Sequence, residues 1–277
     1  MGKTRFLNKK LAELRNSLRR HGGLAVAFSG GLDSAFLLKV AREELGGQVL
    51  ALVARGVVFP ESELQEALDL ANRIGVRIRV VEVDILGIPN FADNPPDRCY
   101  HCKRALFGRL LEVAREEGLP VVADGANADD LRDYRPGSKA TAELGITHPL
   151  NEAGLTKAEI RELSRQLGLP TWDKPAAACL ASRFPYGDRI TEEGLRRVEA
   201  AEFFLRSQGF RQVRVRSHGP IARIEVPEPD LNRFAAPDLR GAVVARLKEL
   251  GFLYVSLDLQ GYRMGSLNER LAEKRGE

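Results

Sequence analysis

Between residues 24 and 150 the chain alternates short apolar runs with segments of helical periodicity. Apolar runs at 24–28, 49–53 and 121–123 predict strands, as does the alternating V-R-I-R-V-V-E-V at 76–83. A further run at 146–150 predicts a fifth strand. Between them, apolar residues at helical spacing predict helices over 33–45, 61–74 and 105–117. Strands joined by helical crossovers pair in parallel, which predicts an α/β fold with a doubly wound, mostly parallel sheet. Ligands of such sheets bind at the carboxyl ends of the strands.

The remainder reads as a second, smaller α/β domain. A helix over 157–167 is followed by a Gly- and Pro-punctuated stretch at 168–187, which predicts a division into 1–170 and 171–277. Thr191 then caps a helix over 191–207, strands follow at 213–216 and 222–226, and a helix at 237–250 leads to a last strand at 253–259. The tail, 268–277, reads as a fraying helix. A length of 277 residues suits two domains. No apolar run approaches bilayer length and residues 1–20 are too charged for a secretory signal, so a cytoplasmic protein without membrane contact is expected. In that reducing compartment three cysteines, Cys99, Cys102 and Cys179, point to metal binding or catalysis rather than disulfides. A net charge of +4 suits an anionic small molecule and makes no demand for nucleic acid.

The stretch S-G-G-L-D-S (29–34) falls where the first strand meets the first helix of the alternation. Gly30 and Gly31 let the backbone approach a phosphate, helix-start N–H groups point at it, Ser29 and Ser34 add hydroxyls, and Asp33 can hold magnesium. A plain tight turn is the bland alternative. No G-K-[ST] follows, so the loop is not a Walker A sequence. After the fourth strand comes A-D-G-A-N-A-D-D (123–130), whose Asp129 and Asp130 are metal or ribose ligands or simply helix-start acids. In V-R-V-R (213–216) the period of two puts Arg214 and Arg216 on one strand face, as an anion site or a solvated edge. D-R-C-Y-H-C-K (97–103) offers a C-x-x-C that fits a redox pair or half a zinc site, for which His101, between the cysteines, and His148 are the further ligands considered. Tyr100 is suited to stacking on a ring or to packing, and Trp172 to the core.

S-G-G-L-D-S resembles the signature of the PP-loop ATP pyrophosphatases, and A-D-G-A-N-A-D-D resembles their G-T-N-x-D-D with Ala126 in place of Thr. D-Y-R-P-G (133–137), L-G-L-P-T-W-D-K-P (167–175), C-L-A-S-R-F-P-Y-G (179–187), V-R-V-R, A-R-I-E-V (222–226) and G-Y-R-M-G-S-L-N (261–268) narrow the resemblance to the LarE family, over about residues 8 to 268. That resemblance implies ATP and Mg2+, held by Ser29, Gly30, Gly31, Asp33, Ser34, Gly125 and Asn127. It implies adenylation of a carboxylate on a pyridinium dicarboxylate mononucleotide, then its conversion to a thiocarboxylate, on the way to the nickel-pincer nucleotide of lactate racemase. Ser182, Arg183, Arg214, Arg216 and Arg263 are implied substrate ligands, with Cys179 and Asp33 catalytic. The three-cysteine branch of the family implies a [4Fe–4S] cluster on Cys99, Cys102 and Cys179; the alternative is a sacrificial Cys179. The resemblance also implies a homo-oligomer, a hexamer by family analogy. A tRNA-thiolating enzyme, an amide-forming synthetase and a non-catalytic nucleotide-binding scaffold are the rival readings.

Overall fold

A computed structural model describes residues 2–132, 136–175, 178–263 and 265–266. The chain divides into two compact units, one of residues 1–88 with 97–177 and one of residues 89–96 with 178–277.

The first unit opens on helix α1 (Gly2–His21), which the strand–helix alternation did not announce. Leu14 and Leu18, one turn apart on α1, are fully buried, each contributing about 1.5–3 kcal/mol of apolar transfer. Then follow β1 (Leu24–Ala27), α2 (Leu32–Leu45), β2 (Val49–Arg55), α3 (Glu61–Ile74), β3 (Arg77–Glu82), α4 (Arg98–Glu116), β4 (Val122–Ala123), α5 (Pro136–Glu143), α6 (Pro149–Glu152) and α7 (Lys157–Gln166). The sheet has the order β3-β2-β1-β4 and all its pairings are parallel. Its central strand β1 has Leu24, Ala25 and Val26 fully buried, as a strand covered on both faces must be. The chain winds outward through β2 and β3, then returns to the other side of β1 as β4. Strand order therefore reverses between β1 and β4, and the crevice at their carboxyl ends receives the loops after both.

The expected strand at 146–150 shrinks to a single parallel bridge, Thr147 with Ala123. Pro149 has no N–H to extend a ladder and instead opens α6 at its first turn. Helix α4 begins at Arg98, seven residues before the periodic apolar pattern does, because its first turn is polar. Trp172, expected in the core, is 40% exposed.

The second unit contains α8 (Glu192–Ser207), β5 (Arg214–His218), β6 (Ile221–Glu225), α9 (Glu228–Leu231), α10 (Pro237–Glu249) and β7 (Tyr254–Leu257). Thr191 caps α8 by accepting the Gly194 N–H, as its position in the sequence predicts. The sheet order is β5-β6-β7, antiparallel then parallel. Residues 89–96 belong here because Asn94, fully buried, donates its side-chain amide to the Phe184 and Pro185 carbonyls at 3.2 and 2.6 Å. The Gly187 N–H returns a bond to the Asn94 carbonyl, and the Ile190 N–H one to Ala92. The tail at 268–277, parts of the 133–137 and 261–268 motifs, and residues 176–177 lie outside the described residues.

Candidate active site

The loop after β1 is shaped by two glycines. Gly30 has φ of +68°, and a Cβ there would stand 2.8 Å from the Ala67 Cβ of α3. Gly31 is the N-cap of α2 and no side chain caps the helix, so its first-turn N–H groups are available to an anion. Ser34 Oγ takes the Ser29 N–H at 3.3 Å and donates to the Gly31 carbonyl at 3.3 Å, with the Ser29 hydroxyl 3.2 Å away. Lys174 donates to the Gly30 carbonyl at 3.1 Å and pairs with Glu66 at 2.8 Å. The loop is thereby tied to the start of α2 and, through Lys174, to α3.

The loop after β4 packs directly against the first. A Cβ on Gly125 would lie 2.9 Å from the Ser34 nitrogen, so only glycine permits this approach. Short polar side chains then fold the turn. Asp124 Oδ1 accepts the Ala126 N–H at 3.0 Å, Asn127 Oδ1 accepts the Asp129 N–H at 2.9 Å, and Asp130 Oδ2 accepts the Asn127 N–H at 2.9 Å.

Asp33 stands where the two loops meet. The Lys157 ammonium donates to its Oδ2 at 3.3 Å, while Oδ1 is enclosed and has no hydrogen-bond partner. Burial pushes the Asp33 carboxyl above its ordinary range; Lys157 and Asn127 oppose that rise, and Asp130 reinforces it. An enclosed, unsatisfied carboxylate oxygen within the electrostatic reach of a second carboxylate suits a hard divalent cation, so these residues fit magnesium. Sequence reading passed over Lys157. Its signal was the T-K-A-E stretch (156–159): Thr156 and Glu159 form a capping box that sets Lys157 at the first position of α7. The Lys157 N–H also bonds Asp129 Oδ2 at 2.8 Å, and Lys10 grips Glu159 at 2.8 Å, so the start of α7 is tied down from both sides.

In the second unit Cys179, half-buried, is the N-cap of a 3-10 turn, Leu180–Arg183. Arg183 is fully buried. It forms a bidentate pair with Glu202 at 2.6 and 2.8 Å and donates to the Ala178 and Cys179 carbonyls at 2.8 and 3.1 Å. It therefore fixes the backbone that carries Cys179. Arg216 donates to the Ser182 carbonyl at 2.6 Å and to Glu225 at 2.8 Å, and its Nε is buried without a partner. Arg214 lies over the Tyr262 ring at 5.6 Å; burial and the nearby Arg183 charge lower its affinity for its proton, against the pull of Glu202. Both arginines are over 90% buried on one strand face, so the solvated-edge alternative does not hold. Such crowded guanidinium groups suit an anion. Arg263 is exposed and its carbonyl accepts the Ser266 N–H at 3.4 Å.

Cys99 and Cys102 share the first turn of α4, in the first unit, and both are half-buried. Tyr100 donates its hydroxyl to Glu143 at 2.7 Å, and His101 faces Asp97 at 3.3 Å. His148 bonds Asp124 at 2.6 Å rather than a cysteine. Among the described residues, no group of three or more His, Cys, Asp or Glu side chains is gathered as a metal ion requires. No described helix is long and apolar enough to cross a membrane.

An uncapped helix start, a glycine-lined double loop and an unsatisfied carboxylate at a parallel-sheet switch point define a PP-loop enzyme that uses ATP. No protein-family model matches the chain. It is 44% identical to an uncharacterised protein of Synechocystis sp. over 97% of this chain and all of that one. It is 41% identical to the pyridinium-3,5-bisthiocarboxylic acid mononucleotide synthase of Lactiplantibacillus plantarum, over 96% of each. A tRNA-specific 2-thiouridylase of a Bradyrhizobium species is 30% identical over 54% of this chain and 47% of its own. The chain belongs to the LarE family, that of the Lactiplantibacillus synthase, and is an ATP-dependent sulfur transferase.

Proposed function

We propose that this enzyme adenylates a carboxylate of a pyridinium dicarboxylate mononucleotide and replaces one of its oxygens with sulfur, in the synthesis of the nickel-pincer nucleotide used by lactate racemase. The observation that carries the ATP half is the enclosed, unpartnered Oδ1 of Asp33 beside the uncapped start of α2. Asp33, with Asp130 near it, would hold magnesium, which supplies charge neutralisation to the departing pyrophosphate. Ser29, Gly30, Gly31 and Ser34 bind phosphate oxygens, Lys157 moves from Asp33 to the phosphates, and Gly125 and Asn127 line the nucleotide. A substrate carboxylate oxygen attacks the α-phosphorus and the bond to pyrophosphate breaks. The acyl adenylate now carries AMP as its leaving group.

In the second unit, Arg214 and Arg216 bind the substrate phosphate, supported by their burial and the unsatisfied Arg216 Nε. Ser182 and Arg263 complete the substrate contacts, while Arg183 acts through the backbone at Cys179. On the alternative route, without a cluster, the Cys179 thiolate attacks the adenylated carbonyl carbon and AMP leaves. Loss of the Cys179 α-proton then expels the thiocarboxylate by Cβ–S cleavage, which leaves dehydroalanine. The thiols of Cys99, Cys102 and Cys179 together are the right donors for a [4Fe–4S] cluster, whose fourth iron would carry replaceable sulfide. A cytoplasmic homo-oligomer, hexameric by family analogy, and a chemistry without nucleic acid complete the reading, with residues 1–170 and 171–277 as ATP and substrate domains.

The test is ATP turnover with the mononucleotide after anaerobic purification. AMP and pyrophosphate in step with thiocarboxylate support the reading; ADP and phosphate overturn it. Iron and sulfide bound to the wild type but not to Cys99→Ser, with more than one sulfur per chain, support the cluster. A single turnover with loss of a hydrogen sulfide mass from Cys179 assigns the sacrificial route.

A further inference from the structure

His148 lies outside the reaction as written, yet its ring is held in a defined place. The Asp124 N–H bonds the Thr147 carbonyl at 3.1 Å and the Thr147 N–H bonds the Val122 carbonyl at 3.0 Å, which sets the 147–148 backbone beside the end of β4. His148 is the N-cap of α6, and its own N–H reaches Glu152 at 3.4 Å. From there His148 Nδ1 meets Asp124 Oδ1 at 2.6 Å. An ionised carboxylate only accepts, so Nδ1 carries the hydrogen. The same Oδ1 takes the Ala126 N–H, and the residue between them, Gly125, is the one pressed against Ser34. One carboxylate oxygen thus couples the imidazole to the turn that packs on the phosphate loop.

We propose that His148 is a positioning residue of the nucleotide site: by donating from Nδ1 to Asp124 it clamps residues 124–127 against Ser34, and its positive charge strengthens the enzyme's hold on ATP.

Three charged groups face the ring. Asp124, at the end of β4, and Glu152, on α6, favour the imidazolium; Lys103, on α4, opposes it, as does partial burial. The bond to Asp124 dominates and raises the His148 pKa above its ordinary 6.5. The clamp is therefore fully charged below that value and weakens as pH rises through the raised one. The inference rests on ATP binding at this loop pair, so the wild type serves as the control for that reading.

The test is isothermal titration with an α,β-methylene ATP analogue and magnesium, at about pH 6 and about pH 9, on wild type, His148→Ala and His148→Asn. Asn places an amide N–H where Nδ1 stands but cannot ionise. The wild type should bind several-fold more weakly at the higher pH. His148→Ala should bind about tenfold more weakly at the lower pH, the loss of one charge-assisted hydrogen bond. His148→Asn should recover most of that loss and show a flatter pH dependence than the wild type, since any contribution from Asp33 is common to all three proteins. The proposal is overturned if His148→Ala binds as the wild type does, if Asn is as weak as Ala, or if wild type and Asn share one pH profile. Should His148→Ala fail to fold by circular dichroism, the Asn and wild-type profiles decide alone. A wild type that binds no analogue would overturn the ATP reading itself.

Discussion

The Lys157 ammonium sits 3.3 Å from Asp33 Oδ2 while the other oxygen of that carboxylate is enclosed without a partner. The two residues are 124 positions apart in the chain, on the first turns of α7 and α2. Under the proposed function, this one arrangement supplies a cation for the phosphates and a carboxylate for the metal.

Asp33→Asn should abolish pyrophosphate release and leave the fold intact. It should also not lower stability at neutral pH. Burial raises the Asp33 pKa above 3.8, so the ionised group opposes folding once pH exceeds that value, and Asn removes the opposition. Thermal melts should show the variant at least as stable as wild type near pH 7, with any advantage gone at about pH 3.5. A variant that melts well below wild type at pH 7 contradicts this.

Lys157→Ala should cost roughly 10- to 150-fold in kcat/KM for ATP, the equivalent of about 1.5–3 kcal/mol for a hydrogen bond to a charged group. Lys157→Arg should recover part of it. Steady-state pyrophosphate release checks both, and wild-type kinetics in the Ala variant would remove Lys157 from the site.

Gly125→Ala forces a Cβ to within 2.9 Å of the Ser34 nitrogen, so the two loops must separate. The KM for ATP should rise while binding of the mononucleotide is retained. Equal losses for both ligands would mean that the contact supports the whole fold rather than the nucleotide loop.

Arg214→Ala and Arg216→Ala should weaken binding of the mononucleotide and spare ATP. Arg183→Ala differs in kind. Removing one partner of the buried Arg183–Glu202 pair should cost about 3–5 kcal/mol and lower the melting temperature. Glu202 has a lowered pKa: burial would raise it, but Arg183, Arg214 and Arg206 together outweigh burial. Its stabilising contribution is present above the unfolded pKa near 4.5 and is lost as pH falls through the lower folded value. Calorimetry in acid should show this loss in wild type and not in Glu202→Gln.

Most of the fold and the phosphate loop were legible in the linear chain because they rest on local rules. A strand must bury its apolar run, a helix must repeat every 3.6 residues, and a glycine pair between them leaves backbone N–H groups for an anion. These rules located S-G-G-L-D-S and the shared face of Arg214 and Arg216, while the loop at 123–130 stood out through its likeness to a family motif. They overran at 146–150, where Pro149 breaks the ladder that the apolar pattern promised. They missed α1, a helix outside the alternation, and they buried Trp172, which solvent reaches. Long-range pairing carries no local signature: Lys157 on Asp33, His148 on Asp124, Lys174 on the Gly30 carbonyl and Arg183 on Glu202 each join residues that the sheet order or a helix–loop packing brings together. A charged side chain in sequence is equally ready for solvent, a partner or a ligand. Burial and the distance to the next charge choose among these, and both quantities exist only once the chain has folded.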